Sequence, residues 1–166
     1  MPEPSEQSLP EGWRWKELRE ICAIDRQTIP PRSLEADARS YLGLENVEGE
    51  SGQIQWMHTQ ADEGNSTTFA FDSRHVLYGK LRPYLNKVAL PDRPGRCTTE
   101  LIPLLPMDGC DREFLAWLLR HPATVARAVR STTGSRMPRT EMDQLLSLTV
   151  PVPPAAEQRR VGAGLQ

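Results

Sequence analysis

Apolar and polar positions divide most of the chain into a strand-rich part followed by a helical part. Short apolar runs bounded by glycine, proline and polar clusters predict strands. Before them, residues 15–24 carry Leu18, Ile21 and Cys22 at the spacing of a short amphipathic helix. The predicted strands are residues 40–47, 54–57, 75–78, 85–90, 97–105 and 148–152.

Helical spacing dominates the last third of the chain. Residues 111–119 and 123–129 each place apolar side chains on one side of a predicted helix. A third helix is predicted from Thr140, because Thr140 and Asp143 resemble a capping box, and residues 155–161 form the first turns of a last helix. Strands come first and helices later, without βαβ alternation, so the order predicts an α+β fold.

Composition narrows the class of protein. The 166 residues suffice for one domain, and the 15 prolines are nearly twice the usual share. No apolar run is long enough to cross a membrane, and the polar, acidic N-terminus does not resemble a signal peptide. The cysteines, Cys22, Cys97 and Cys110, are odd in number without a CxxC pair, which argues against a disulfide framework and a zinc site. We therefore expect a cytoplasmic protein with free thiols.

The charge distribution is uneven, although the formal net charge is only −2. Residues 1–73 carry 6 Lys/Arg against 14 Asp/Glu, whereas residues 74–139 carry 12 against 5. A basic segment of this kind can present a nucleic-acid-binding face on an acidic protein. Its arginines can equally pair with the acidic half, and charge alone leaves both interpretations open.

No catalytic motif stands out. The sequence has no GxSxG, P-loop or GxGxxG motif. Asp92 and Glu100 lie near the separation of nuclease carboxylates, but the lysine that should follow is absent. Cys97 opens an apolar strand, so we interpret it as an inert core thiol, and Trp117 sits on an apolar helix face and is expected in the core.

Two loops are not explained by core packing. Residues 78–84 leave a predicted buried strand and at once present Lys80 and Arg82 beside Gly79. Residues 130–139 combine three arginines, four hydroxyl residues and a glycine. Cations, hydroxyls and glycine suit contacts with phosphates and base edges. The alternative for each loop is a solvated connection without a ligand.

Six segments, in order along the chain, resemble one known family. They are Leu9-Pro10-x-Gly12-Trp13, residues 41–47, the segment VLYGKLRPYLNK at 76–87, TTEL at 98–101, TGSRMPR at 133–139 and VPVPPAAEQ at 150–158. Together they are similar to the target recognition domain of the specificity (S) subunit of type I restriction-modification systems. The resemblance covers nearly the whole chain.

This resemblance implies non-catalytic, sequence-specific recognition of double-stranded DNA, with each such domain reading one half of a bipartite target. It implies a curved, mostly antiparallel sheet with helices in the C-terminal half. The expected partners are the modification (methyltransferase) subunit and the restriction (endonuclease) subunit, and a second copy of the chain is a candidate partner. S-adenosylmethionine, ATP and Mg are expected only on the partner subunits, so the chain itself is expected to need no cofactor.

The domain division follows from the same resemblance. We expect a disordered tail over residues 1–8, a DNA target recognition domain over 9–154, and the start of a truncated spacer helix over 155–166. A full specificity subunit has two recognition domains separated by long helices. One recognition domain with a short helix is expected of a half-subunit or a truncated form.

The resemblance also assigns candidate contacts. Phosphate positioning is expected from Lys80, Arg82 and Lys87. Specificity is expected in a more variable loop, residues 58–68, where His58, Gln60, Asn65 and Thr67 are the candidate base readers. The full set of predicted DNA contacts outside that loop is Lys80, Arg82, Tyr84, Lys87, Arg130, Thr133, Ser135, Arg136 and Arg139.

Three alternatives stay open at this point. The chain could be the recognition module of a single-chain restriction-methyltransferase. It could be a protein-interaction domain whose acidic N-terminal half binds a basic partner, with no role on DNA. It could also be an unrecognised hydrolase, although no residue spacing points to one.

Overall fold

The strands of the fold are short and most of them pair with strands distant in sequence. The computed structural model describes residues 8–56 and 66–164, over which the chain forms twelve strands and five helices. The strands are β1 Arg14–Glu17, β2 Cys22–Ile24, β3 Thr28–Ile29, β4 Ser40–Leu42, β5 Thr68–Phe71, β6 Val76–Gly79, β7 Val88–Ala89, β8 Gly95–Cys97, β9 Leu101–Pro106, β10 Thr132–Thr133, β11 Arg139–Thr140 and β12 Thr149–Val152. The helices are α1 Leu34–Ala38, α2 Arg112–Arg120, α3 Pro122–Arg130, α4 Met142–Leu146 and α5 Ala155–Gly162.

Two four-stranded sheets carry most of the strands. One has the order β2-β9-β6-β7 and is antiparallel throughout. The other has the order β3-β5-β8-β4, in which only the β4–β8 pair is parallel. The pairs β1–β12 and β10–β11 are antiparallel ribbons. The predicted α+β, mostly antiparallel fold is confirmed, and the sequence did not reveal that the strands divide between two sheets.

Helices α2, α3 and α5 of the C-terminal half form where the sequence predicts them. Asp111 caps α2 by accepting a hydrogen bond from the backbone N–H of Phe114 at 2.9 Å, and Pro122 occupies the first turn of α3. Helix α2 buries Phe114, Leu115 and Leu118. It packs closely on α5, because a Cβ at Gly162 would lie only 2.6 Å from the Phe114 backbone nitrogen. The predictions over residues 111–119, 123–129 and 155–161 are therefore confirmed.

The predicted helix over residues 15–24 is wrong. This stretch forms β1, a 3₁₀ turn at Leu18–Glu20 and then β2. Leu18, Ile21 and Cys22 are buried as their spacing suggested. They are buried, however, because β1 pairs with β12 and β2 pairs with β9, two strands that arrive much later in the chain. Long-range strand pairing has overridden local spacing here.

Other boundaries also differ from the sequence prediction. The predicted strand 40–47 ends after β4 in a 3₁₀ turn at Leu44–Asn46, and 85–90 reduces to β7. The predicted strand 97–105 is two strands in different sheets, separated by the polar residues 98–100. Of residues 54–57, Ile54 forms one bridge with Val47, and residue 57 lies outside the described residues.

The start of the third helix was misplaced as well. Thr140 lies in β11 instead of opening a helix, so the predicted capping box with Asp143 does not form. Helix α4 begins at Met142, with Glu141 in the N-cap position. The predicted loop over residues 131–139 contains the β10–β11 hairpin, because Thr132 pairs with Thr140.

The core is one large cluster between the two sheets' strands and α2, and it holds the thiols. Cys97 is 0% exposed, and burial raises the pKa of its thiol well above the usual range, as expected of an inert core residue. Trp117 is partly buried and packs against this cluster. Of the tail predicted over residues 1–8, only Ser8 lies within the described residues. Among the described residues, no helix is long and apolar enough to cross a membrane.

Candidate nucleic-acid interface

The two loops singled out in the sequence lie against each other in the structure. The backbone N–H of Thr140 donates to the carbonyl of Lys80 at 2.8 Å, and the N–H of Arg82 donates to the carbonyl of Pro138 at 2.7 Å. Between these two hydrogen bonds, Leu81 and Arg139 form an isolated antiparallel bridge. We call the surface formed by residues 80–87 and 130–141 the cationic corner.

The buried strand β6 is bonded to the cationic corner. Tyr78 is almost fully buried, and its hydroxyl lies 3.0 Å from the Thr140 hydroxyl, which ties β6 to β11. Burial raises the pKa of Tyr78 above its usual value, because the buried site disfavours the charged phenolate. The N–H of Lys80 donates to the carbonyl of Glu100 at 3.0 Å. The backbone that carries Lys80 is therefore fixed on both sides.

The segment after Lys80 turns sharply and exposes an aromatic ring. Arg82 and Asn86 have φ angles of 50° and 54°, in the left-handed region, on either side of a 3₁₀ turn at Pro83–Leu85. The Asn86 side chain donates to the Arg120 carbonyl at 3.0 Å and anchors the turn to α2. Tyr84 is 55% exposed at its tip. Such backbone conformations are costly for residues other than glycine and persist where the surroundings impose them.

The cations of the basic segment divide into two groups. Of the 12 Lys/Arg side chains in residues 74–139, eight bond a carboxylate or a backbone carbonyl within the fold. The other four have no hydrogen bond or ion pair to any residue in the ranges 8–56 and 66–164, and all four lie in the cationic corner. The eight are Arg74, Lys87, Arg93, Arg96, Arg112, Arg120, Arg127 and Arg139, and the four are Lys80, Arg82, Arg130 and Arg136.

Two predicted DNA contacts, Lys87 and Arg139, have structural partners. The Lys87 ammonium donates to the Leu44 carbonyl at 2.7 Å. The Arg139 guanidinium makes a two-pronged contact with Glu100, with Nε and Nη2 each within 3.0 Å of Oε1. This hydrogen bonding raises the pKa of Arg139 above its usual value. Their DNA contacts remain predictions, and the structure gives each side chain a role in holding the corner together.

The remaining predicted residues are spread over three places. Thr133 donates from its hydroxyl to Glu141 Oε1 at 2.9 Å, and Ser135 is exposed in the same hairpin. Thr67 is exposed at the start of β5, in the other four-stranded sheet. The other candidate base readers, His58, Gln60 and Asn65, lie outside the described residues.

A recess of about 300 Å³ opens at the edge of the corner, and sequence reasoning missed part of its lining. Arg26 reaches it from the segment after β2, because β2 and β6 both pair with β9 in one sheet. Arg26 belongs to the acidic half of the sequence, so no local signal connects it with Lys80. The full lining is Ile24, Arg26, Lys80, Thr133, Arg139, Thr140, Glu141, Met142 and Asp143.

The carboxylates considered for a nuclease site are engaged elsewhere. Asp92 pairs with the neighbouring Arg93 at 2.8 Å, whereas Glu100 pairs with Arg139. Among the described residues, no group of three His, Cys, Asp or Glu side chains is placed to hold a metal ion. What the corner offers is a rigid backbone, free cations and hydroxyl groups, which suits binding to a polyanion.

The family model for the type I restriction modification DNA specificity domain matches residues 10–166. The chain belongs to this family. The resemblance seen in the motifs is thereby confirmed, and the match includes both segments that form the cationic corner.

The curated relative that the chain matches is longer than this chain. The chain is 26% identical over 156 residues to the type I restriction enzyme EcoDI specificity subunit of Escherichia coli, covering 93% of this chain and 34% of that subunit. It thus spans about a third of that relative.

Solved structures share the fold. The HsdS subunit from Thermoanaerobacter tengcongensis matches with a TM-score of 0.72 at 22% identity, over 96% of this chain and 43% of that one. A chain from a structural study of complex assembly and conformational transition of the type I R-M system matches with a TM-score of 0.75 at 24% identity, over 95% and 42%. The fold is therefore that of a specificity-subunit domain.

Proposed function

We propose that this domain recognises double-stranded DNA in a sequence-specific manner, as the specificity component of a type I restriction-modification complex. It reads one half of a bipartite target and directs methyltransferase and endonuclease subunits to that site. Its E. coli relative is the specificity subunit of a type I restriction enzyme, which supports this role. The domain itself supplies recognition and no catalytic step, and we propose that it acts in the cytoplasm, where its DNA target would lie.

One observation carries the proposal: the four cations of residues 74–139 without a partner in the described part of the chain all lie in the cationic corner. Within residues 74–139, a fold that merely needed solubility has no reason to gather the free cations on two loops and to pair the others. Phosphate groups are the ligand that such cations, flanked by exposed hydroxyls, bind best. Lys80 and Arg82 sit on backbone held by hydrogen bonds, so they fix the register of the domain on the duplex.

The corner is expected to position the duplex, and other residues to read its bases. Contacts to phosphates carry no sequence information by themselves. Specificity would come from base-edge contacts beside the corner and from residues 58–68. The modification subunit, which holds S-adenosylmethionine, and the restriction subunit, which uses ATP and Mg, are the proposed partners, and the domain needs no cofactor of its own.

The proposal is tested by selecting duplexes from a randomised pool at low salt, with the chain alone and with its modification subunit. We expect an enriched motif of a few base pairs. The Lys80→Ala/Arg82→Ala variant should bind every duplex more weakly, and the slope of log K against log salt should fall by about two.

The matched control removes two cations outside the corner. Arg159→Ala/Arg160→Ala changes the net charge by the same amount on exposed residues of α5. It should leave the salt slope of the isolated chain nearly unchanged. Equal slopes for the two double variants, or DNA binding without any enriched motif, would contradict the proposal.

A further inference from the structure

Charged side chains of both signs line the recess at the edge of the cationic corner without pairing to one another. Arg26, Lys80, Glu141 and Asp143 all line this recess. Within residues 8–56 and 66–164, none of these four side chains forms an ion pair. Opposite charges that share a recess unpaired suit a ligand that presents both an anion and a hydrogen-bond donor.

The carboxylate of Glu141 accepts a hydrogen bond from outside the helix that Glu141 begins. Glu141 is the N-cap residue of α4, yet its side chain caps no backbone N–H of that helix. Instead, the hydroxyl of Thr133 donates to Oε1 at 2.9 Å. This contact joins β10 to the start of α4 and leaves Oε2 free. An exposed glutamate therefore has a fixed orientation, which is a property of a binding group.

Next to a DNA backbone, a fixed carboxylate is unfavourable unless it meets a donor. The phosphates that bind Lys80 repel Glu141, and this repulsion is offset only if Glu141 accepts a hydrogen bond from the nucleic acid. The exocyclic amino groups of cytosine and adenine are the donors that the major groove presents. A carboxylate accepts a hydrogen bond from cytosine N4 in this way. Guanine or thymine at the same position presents an acceptor oxygen in place of the amino group and cannot make this bond.

We propose that Glu141, held by Thr133, reads an exocyclic amino group of one base in the target half-site, while Lys80 and Arg26 bind the phosphates beside it. This assignment rests on the proposed function, and it names a residue that determines specificity. Asp143 lies in the same recess, and its negative charge repels an anionic or acceptor group at the position of the amino group.

The test is a double-mutant cycle between Glu141 and the base. Duplexes carrying the selected motif are prepared with the exocyclic amino group removed from one cytosine or adenine at a time. For the wild-type chain, one such removal should weaken binding about tenfold. For Glu141→Ala, the same removal should change binding less than about twofold, because the acceptor is already gone. Glu141→Gln keeps an acceptor oxygen and should retain part of the preference.

The control is Glu113→Gln, which removes one negative charge from an exposed residue of α2 outside the recess. It should strengthen binding to all duplexes slightly and leave the enriched motif unchanged. If Glu141→Gln and Glu141→Ala behave like this control at every position, the assignment of Glu141 is overturned while DNA recognition stands. If the wild-type chain enriches no motif, the proposed function fails and the reading role fails with it.

Discussion

Arginines do different work in the body of the fold and in the cationic corner. In the body, which we define as the two four-stranded sheets with α2, guanidinium groups bond backbone carbonyls. Arg96 donates to Ala36, and Arg120 donates to Val88 through two nitrogens. Burial lowers the pKa of Arg120, because the protein interior disfavours the charged guanidinium. These charges stabilise loops and strand ends that lack ladder partners.

In the cationic corner the same residue type has the opposite surroundings. Arg82, Arg130 and Arg136 are exposed, and within the described part of the chain nothing neutralises them. A net charge counted over residues 74–139 therefore overstates what is available to a ligand. The position of a cation in the fold, and not its place in a basic segment, decides whether it can bind DNA.

The largest difference in stability between the two regions is expected at Arg96. This side chain is 1% exposed, donates to the Ala36 carbonyl at 2.9 Å and lies over the ring of Tyr41. We expect Arg96→Ala to lower the free energy of unfolding by about 3 kcal/mol, because it removes a buried hydrogen bond and the contact with the Tyr41 ring and leaves a cavity behind. Urea unfolding measures this. Arg136→Ala, the matched change in the corner, should stay within about 0.5 kcal/mol of wild type.

Two glycines in the left-handed region give a second contrast. Gly52 packs against the body with φ +70°, and a Cβ there would lie 2.0 Å from the Val88 carbonyl oxygen. Gly134 in the corner has φ +92°, and its nearest atom would be 3.2 Å away. Gly52→Ala should therefore cost about 3 kcal/mol of unfolding free energy, and Gly134→Ala about 1 kcal/mol, the backbone strain alone. Equal costs, measured by urea unfolding, would mean that the turn at Gly52 is not rigidly packed.

The thiols of the body predict how stability depends on pH. Burial raises the pKa of Cys22 from 9.0 to about 12 and that of Cys97 further still. Above pH 9 the unfolded chain releases these protons while the folded chain keeps them, so the free energy of unfolding falls as pH rises from about 9 towards 12. The loss should be about 1 kcal/mol per thiol at pH 10.

Urea unfolding at pH 8 and pH 10 measures this loss. Cys22→Ala removes one of the three thiols whose pKa is raised by burial, Cys22, Cys97 and Cys110. The unfolding free energy of this variant should therefore fall less between the two pH values. A wild-type chain whose stability is the same at pH 8 and pH 10 would show that water reaches the thiols of the folded body.

The smallest effects on stability are expected for the free arginines of the cationic corner, whose substitution should weaken DNA binding. Arg130→Ala and Arg136→Ala should each change the unfolding free energy by less than about 0.5 kcal/mol. Each should lower the salt slope of DNA binding by about one. Arg139→Ala tests the border between the two regions, because it removes the Glu100 contact as well and should affect both measurements.

The sequence predicted well those features that depend on local spacing. Helices α2, α3 and α5 form where the sequence indicated them, and α2 buries a stripe of its own apolar side chains. The loops with free cations were found because Gly79, Gly134 and the surrounding arginines have no explanation in the core.

Features that depend on distant pairing were not predictable from local patterns. Residues 15–24 become strands because β12 and β9 pair with them. Arg26 enters the site through sheet order, and Lys87 leaves the set of free cations because a carbonyl from residue 44 lies beside it. In each case the neighbour that determines the structure is remote in sequence, so the pattern of a short segment cannot predict it.

The hydrogen bond between Thr140 and Lys80 also sets the order of events during synthesis. A ribosome delivers the chain from its N-terminus, and contacts between segments far apart must wait for the later one. Strands β6 and β9 can pair while residues 130–141 are still inside the exit tunnel. The corner cannot exist until those residues emerge and close a long loop, which is a slow step. A nascent chain therefore assembles the cationic corner only after residues 130–141 have emerged, when β6 and β9 are already free to pair.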